Sequence, residues 1–226
     1  MAKTIKKMEE IVQFKDTELV EKKIIHRGMR QSDVLNTFRD LRTKLLKQSS
    51  DRKNFVTLVT SVGEGGGASF ISTNLAAVFA LDPNRTALLV DCDIYHTNTN
   101  HLLIGEPGPG ITDYLIDEDL NIEDIIYATG VLRLRLIPVG DSGESGAEAF
   151  NSERMEIFLD HVKARHSDRF IFVDAPPATS AEARILAQLC DFTILVAPYG
   201  RVTRGQIEGA IDGLGQNKVS GVIFNN

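Results

Sequence analysis

This 226-residue sequence predicts an α/β fold, a doubly wound and mainly parallel sheet flanked by helices. Three observations predict it. Continuous apolar runs recur along the chain, as strands buried on both faces of a parallel sheet require. Helical stretches lie between them, so the elements alternate as βαβ units with right-handed crossovers. The first apolar run leads through a glycine-rich loop straight into a helix, in residues 55–80, FVTLVTSVGEGGGASFISTNLAAVFA.

Taken in order, residues 1–30 mix charge with isolated apolar side chains and show no settled period. They are expected to form an arm, flexible or docking on a partner, ahead of a domain spanning 31–226. Ser32 is placed as an N-cap for a helix on which Leu35, Phe38, Leu41 and Leu45 recur at helical spacing. Arg39 and Arg42 share one face of that helix. Spacing alone favours a solvated face, and the sharper reading is an intersubunit contact. Residues 55–60 read as a buried strand, Gly63, Gly65, Gly66 and Gly67 as the loop, and the next helix opens near Ser69. Asn74 on that helix can turn inward or face solvent. Further strands are expected at 86–92, 132–139, 169–175, 192–198 and 219–225, with helices at 147–165, 180–189 and 203–214.

Composition narrows the function. The formal net charge of −6 argues against a nucleic-acid surface. No apolar run approaches the ~20 residues needed to cross a bilayer, and the first residues, MAKTIKKMEE, lack the apolar centre of a signal peptide. Cys92 and Cys190 each sit in an apolar run and read as buried thiols of a cytoplasmic protein. The five histidines show no metal-ligand spacing.

A glycine loop between a strand and a helix cradles phosphate, because its N–H groups approach the anion and the positive end of the helix dipole faces it. A P-loop closes on Gly-Lys-Ser/Thr. Here the run is Gly67-Ala68-Ser69, so the hydroxyl is present and alanine occupies the lysine position. Three carboxylates stand at strand ends, where ligands bind in such sheets: Asp91 and Asp93 in LLVDCD, and Asp174 in FIFVDAPP. One strand-end aspartate caps a turn as easily as it serves chemistry. Three of them after a glycine loop point to a nucleotide site near Mg²⁺.

These motifs, VTS…GEGGGAS…NLA, LLVDCD, GITDYL, FIFVDAPP and GVIFNN, resemble the bacterial tyrosine kinases of capsule and exopolysaccharide synthesis. Those are P-loop proteins with divergent Walker motifs, related more distantly to partition and division-site ATPases. The likeness runs over residues 35–226. It implies a P-loop NTPase-like fold, ATP/ADP and Mg²⁺ as cofactors, and an integral-membrane co-polymerase or chain-length regulator as partner, with the protein peripheral at the inner face of the membrane. It places nucleotide contacts at Gly63, Gly65, Gly66, Gly67, Ala68, Ser69, Phe70 and Asn225. Catalytic carboxylates fall at Asp91, Asp93 and Asp174, metal contacts at Ser69, Asp91 and Asp174, and a homo-oligomer contact at Asn36, Arg39 and Arg42.

The departures from the family pattern are specific. Ala68 stands for the lysine, and Ile94, Tyr95, His96 and Thr97 follow the paired aspartates where the family has Leu-Arg-x-Pro. Asn36 takes a glutamate's place, and Gly143, Glu144, Ser145 and Gly146 replace a proline-rich stretch. Tyr95, Tyr114, Tyr127 and Tyr199 are scattered and form no cluster like the family's tyrosine-rich tail. Two readings follow: a weak or unconventional tyrosine kinase, with Arg201 or Arg204 as substitute cation, or a non-catalytic pseudokinase scaffold. A partition-type ATPase is the poorer third, because Gly63 stands where those proteins carry a second lysine.

Overall fold

A computed structural model describes residues 13–29, 32–50, 52–141 and 146–226. Seven strands form one sheet in the order β3-β4-β2-β5-β1-β6-β7. They are β1 (Val56–Ser61), β2 (Thr86–Asp91), β3 (Tyr127–Ala128), β4 (Leu134–Ile137), β5 (Arg169–Asp174), β6 (Phe192–Pro198) and β7 (Val219–Asn225). Every pairing is parallel except β3 with β4. The expected sheet is therefore present, with β1 at its middle between β5 and β6.

All residues of β1, β2, β5 and β6 are buried. This is why those segments read as unbroken apolar runs rather than as alternation. Their side chains still divide by parity into two cores. Val56, Leu58, Leu88, Val90, Ile171 and Val173 point to one layer, which is closed by α6 (Glu153–Arg165) and α7 (Ala181–Leu189). Val59, Ala87, Leu89, Phe170 and Phe172 point to the other, which is closed by α3 (Ala68–Ala80) and α2 (Asp33–Gln48). Helix α3 is buried nearly all round, lying between the sheet and α2, so it carries no polar face. The predicted stripe on α2 is there: Leu35, Phe38 and Leu45 are buried and Leu41 is half-buried.

Several local expectations change. The helix expected at 147–165 is two helices, α5 (Gly146–Phe150) and α6, because the Ser152 hydroxyl accepts from the Met155 N–H and so caps a new start. The strand expected at 132–139 is confined to β4, since Arg133 takes a left-handed φ of 59° and turns its guanidinium inward onto the Ala80 carbonyl. A short helix, α4 (Ile111–Ile116), and the two-residue β3 carry no strong signal in the sequence.

The largest difference concerns the expected arm. Over residues 13–29 it is part of the packed body. Helix α1 (Asp16–Glu21) leads into Ile24 and Ile25, 1% and 2% exposed, which join the core beside α3. The Phe14 N–H donates to the Gly130 carbonyl at 2.8 Å. The earlier residues of the arm, and the Gly143 to Ser145 departure, lie outside the described residues. Helix α8 (Arg204–Leu214) covers the far side near β7. No helix among the described residues is long and apolar enough to cross a membrane.

Candidate active site

The carboxyl ends of β1, β2 and β5 meet at one rim, and the chain leaves β1 through the glycine loop. Gly65 (φ 63°) and Gly67 (φ 90°) hold left-handed backbone that a side chain would strain, and a Cβ on Gly67 would collide with the Asn225 side chain. Two neutral side chains fasten the loop. Ser61 Oγ donates to the Gly63 carbonyl at 2.6 Å, and the Asn225 amide donates to the Gly66 carbonyl at 3.2 Å. Helix α3 then opens at Ala68, with Gly67 as N-cap and no side chain capping its first turn. Its free N–H groups and the positive end of its dipole border a cavity of about 390 Å³.

Gly65, Gly66, Gly67, Ala68, Ser69, Phe70 and Asp93 all line this cavity. Gly63 and Asn225 do not; they support the loop from outside, Asn225 from the groove between α2 and β7. Asp91 and Asp174 lie beneath, both 0% exposed and directly opposite each other in the β2–β5 register. Asp91 accepts from Thr99 Oγ1 at 2.6 Å and from the Asp93 N–H at 3.0 Å. Asp93 accepts from the Tyr95 and His96 N–H groups, and the His96 imidazole stands 3.9 Å away.

Asp174 is different, because both of its buried oxygens lack a hydrogen-bond partner of ordinary geometry. The Ser69 and Ser72 hydroxyls face it and draw its pKa down. Burial, and then the Asp91 charge, outweigh them and push it well above the usual carboxylate range. Burial likewise raises Asp91, to about 7, against the Thr99 and Asp93 hydrogen bonds. Asp93 is raised for the same first reason. Two opposed buried carboxylates, with no cationic side chain beside them among the described residues, form a site that wants a proton or a cation.

The donors fit Mg²⁺. Among the described residues, no group of three or more His, Cys, Asp or Glu side chains could hold a metal by itself. Mg²⁺ does not need one, since it keeps waters and takes one or two carboxylates together with substrate phosphates. Asp174, Asp91 and the Ser69 hydroxyl at the foot of a phosphate loop meet that description.

Of the substitute cations, Arg201 donates to the Gly65 carbonyl at 3.3 Å, and Arg204 is held by Glu208 at 2.7 Å. Arg42 donates to the Val78 carbonyl at 2.8 Å, while Asn36 and Arg39 are exposed on α2, away from the cavity. Among the cavity residues that sequence reasoning did not assign to the site are Lys22, Lys23, His96, Asn98 and His101, and it also missed the Thr99 bond to Asp91. The apolar Ile24-Ile25 pair after a charged run was the one available sign that 22–23 is anchored.

No family model matches the chain. It is 31% identical over 196 residues to the tyrosine-protein kinase CpsD of Streptococcus agalactiae serotype III, covering 83% of this chain and 80% of that protein. It is 29% identical over 196 residues to the tyrosine-protein kinase Wzc of Salmonella typhimurium, covering 85% of this chain and only 27% of Wzc. Among solved structures, the BceF tyrosine kinase domain superposes with a TM-score of 0.77 at 27% identity, covering 96% of this chain and 91% of that one.

Proposed function

The chain belongs to the bacterial tyrosine-protein kinase family, and on that premise we propose that it binds Mg²⁺-ATP in the glycine-loop cavity and serves capsule or exopolysaccharide biosynthesis as a tyrosine-kinase-like protein. The observation that carries the reading is the fully buried Asp174 carboxylate, opposite Asp91 and faced by the Ser69 and Ser72 hydroxyls, under an open helix N-terminus. Bound Mg²⁺ would supply charge neutralisation at the β- and γ-phosphates. The chain's own groups divide the remaining work. The loop N–H groups and the start of α3 hold phosphate oxygens, and Ser69, Asp91 and Asp174 hold the cation. Asp93, alone of the three acids, lines the cavity, so it is the group placed to take the proton from a tyrosine hydroxyl.

Transfer in this reading is weak. Phosphoryl transfer is mostly positioning and charge stabilisation, and removing one such donor costs ~3–4 kcal/mol, roughly a hundred- to a thousandfold in rate. Ala68 puts no cation where a P-loop lysine reaches the phosphates. The partner in this reading is an integral-membrane co-polymerase or chain-length regulator, which would hold the protein at the inner face of the membrane. Self-association would use Asn36, Arg39 and Arg42, of which Asn36 and Arg39 are exposed and Arg42 is half-buried against the Val78 carbonyl. A second reading, a scaffold that binds no nucleotide, is favoured by Ala68 together with the scattered tyrosines.

Calorimetric titration with Mg²⁺-ATP and Mg²⁺-ADP separates the two. The chain is expected to bind at micromolar strength, and Ala68→Lys to bind at least as tightly. Absence of heat from both proteins would overturn the nucleotide reading; binding by Ala68→Lys alone would favour the scaffold.

A further inference from the structure

We propose that Lys23, with Lys22 beside it, supplies the phosphate-directed cation that the loop lacks, reaching the cavity from the segment ahead of the sheet domain. The inference rests on the nucleotide reading above and deepens it. Both lysines line the cavity bordered by Gly65, Ala68 and Ser69, although the chain reaches them before β1 begins.

Their position is built, and the fastening starts with the end of α1. The Lys23 N–H donates to the Val20 carbonyl at 3.0 Å, and the Ile24 N–H to the Leu19 carbonyl at 2.8 Å. These are the two bonds of a helix C-terminal cap whose pivotal residue is left-handed and is ordinarily glycine. Here that residue is Lys23, at φ 55°. Glycine would serve this cap better, so a lysine here fits a role for its side chain.

The second fastening is Asn74 on α3, 1% exposed. Its amide donates to the Lys23 carbonyl at 3.1 Å and to the Phe70 carbonyl at 3.0 Å, and its oxygen accepts the Ile25 N–H at 2.7 Å. Lys23 is thus pinned to the helix whose first turn forms the phosphate site. Ile24 and Ile25 seal the attachment from below. Lys22 is steadied by its ammonium over the Phe14 ring, 4.9 Å from the centroid. The cavity otherwise carries Glu64 and Asp93, so an incoming polyphosphate needs these positive charges to balance them. Arg201 reaches the loop only through the Gly65 carbonyl and does not line the cavity.

The decisive variant is Lys23→Gly, measured by Mg²⁺-ATP calorimetry and thermal melting, with Lys22→Met, and Lys23→Gly/Ala68→Lys as the rescue. The proposal expects Lys23→Gly to melt at or above the parent temperature, because the left-handed backbone is relieved. Its Mg²⁺-ATP affinity should fall at least tenfold, Lys22→Met should lose less, and the rescue should recover most of the affinity. A merely structural lysine would give neither the loss without destabilisation nor the rescue. If the parent binds and Lys23→Gly binds equally well, the inference is overturned while the nucleotide reading stands. If neither the parent nor the rescue binds, the nucleotide reading falls and takes the inference with it.

Discussion

The ligand-free protein is expected to lose stability as pH rises from about 4 to about 7, and Asp91→Asn to remove much of that loss. The unfolded carboxyl releases its proton near 3.8, whereas the folded one, raised chiefly by burial, holds it to about 7. Between those values the folded state binds more protons than the unfolded state, so the unfolding free energy falls with pH. At 1.36 kcal/mol per unit over roughly three units, the loss amounts to about 4 kcal/mol. Asp174 adds in the same direction, through its burial and the charge of Asp91. An asparagine at 91 removes the buried charge while its oxygen still accepts the Asp93 N–H and its amide can donate to Thr99 Oγ1. Denaturant melts at pH 4, 5.5 and 7.5 on both proteins check this, and stability that rises with pH across the window would refute it. Mg²⁺-ATP should flatten the slope, because a cation between the carboxylates favours their ionised forms.

A comparable effect is expected at the far end of α3. Phe79 is fully buried and makes ring contacts with Phe55, Phe170 and Phe172 at centroid distances of 5.8, 4.8 and 5.1 Å. It is the meeting point of α3 with the sheet. Phe79→Ala removes a whole ring from a close-packed cluster and should cost ~3–5 kcal/mol. For a chain of this size that corresponds to a fall in melting temperature of roughly 6–20 °C. The proposed phosphate site sits at the other end of the helix, so Mg²⁺-ATP affinity well below the transition should change by less than about threefold. An unchanged melting temperature would refute the place given to Phe79 as the meeting point of α3 with the sheet.

The centre of the sheet was legible in the sequence because its strands are buried on both faces. Such strands announce themselves as runs, and those at 169–175 and 192–198 fall within a residue of β5 and β6, while the run at 219–225 matches β7, an edge strand that is only half-buried. The carboxylates were legible for a related reason, since a charge closing an apolar run has few places to go except a strand end. What escaped notice depends on contacts between distant parts of the chain. Nothing near residues 13–29 announces that Asn74 will hold their backbone, and nothing near Asn74 decides which way it turns. Likewise Thr99 meets Asp91 only because the chain doubles back after β2. The break at Ser152 was local, but a serine within a helical pattern is ambiguous until its hydroxyl is seen to accept an amide proton.

The central place of β1 has a consequence for the order in which the molecule can be made. Val56 pairs with Ile171 and Thr57 with Phe192, so both of its neighbours leave the ribosome long after it does. Throughout that interval the nascent chain carries α3, apolar almost all round, without the sheet that later covers it. Only α2 and the preceding segment are already at hand to shield it. Pairings of such wide sequence separation form slowly and expose apolar surface while they wait. The glycine loop, translated well before β5 and β6, is therefore among the last parts of the domain to acquire its shape.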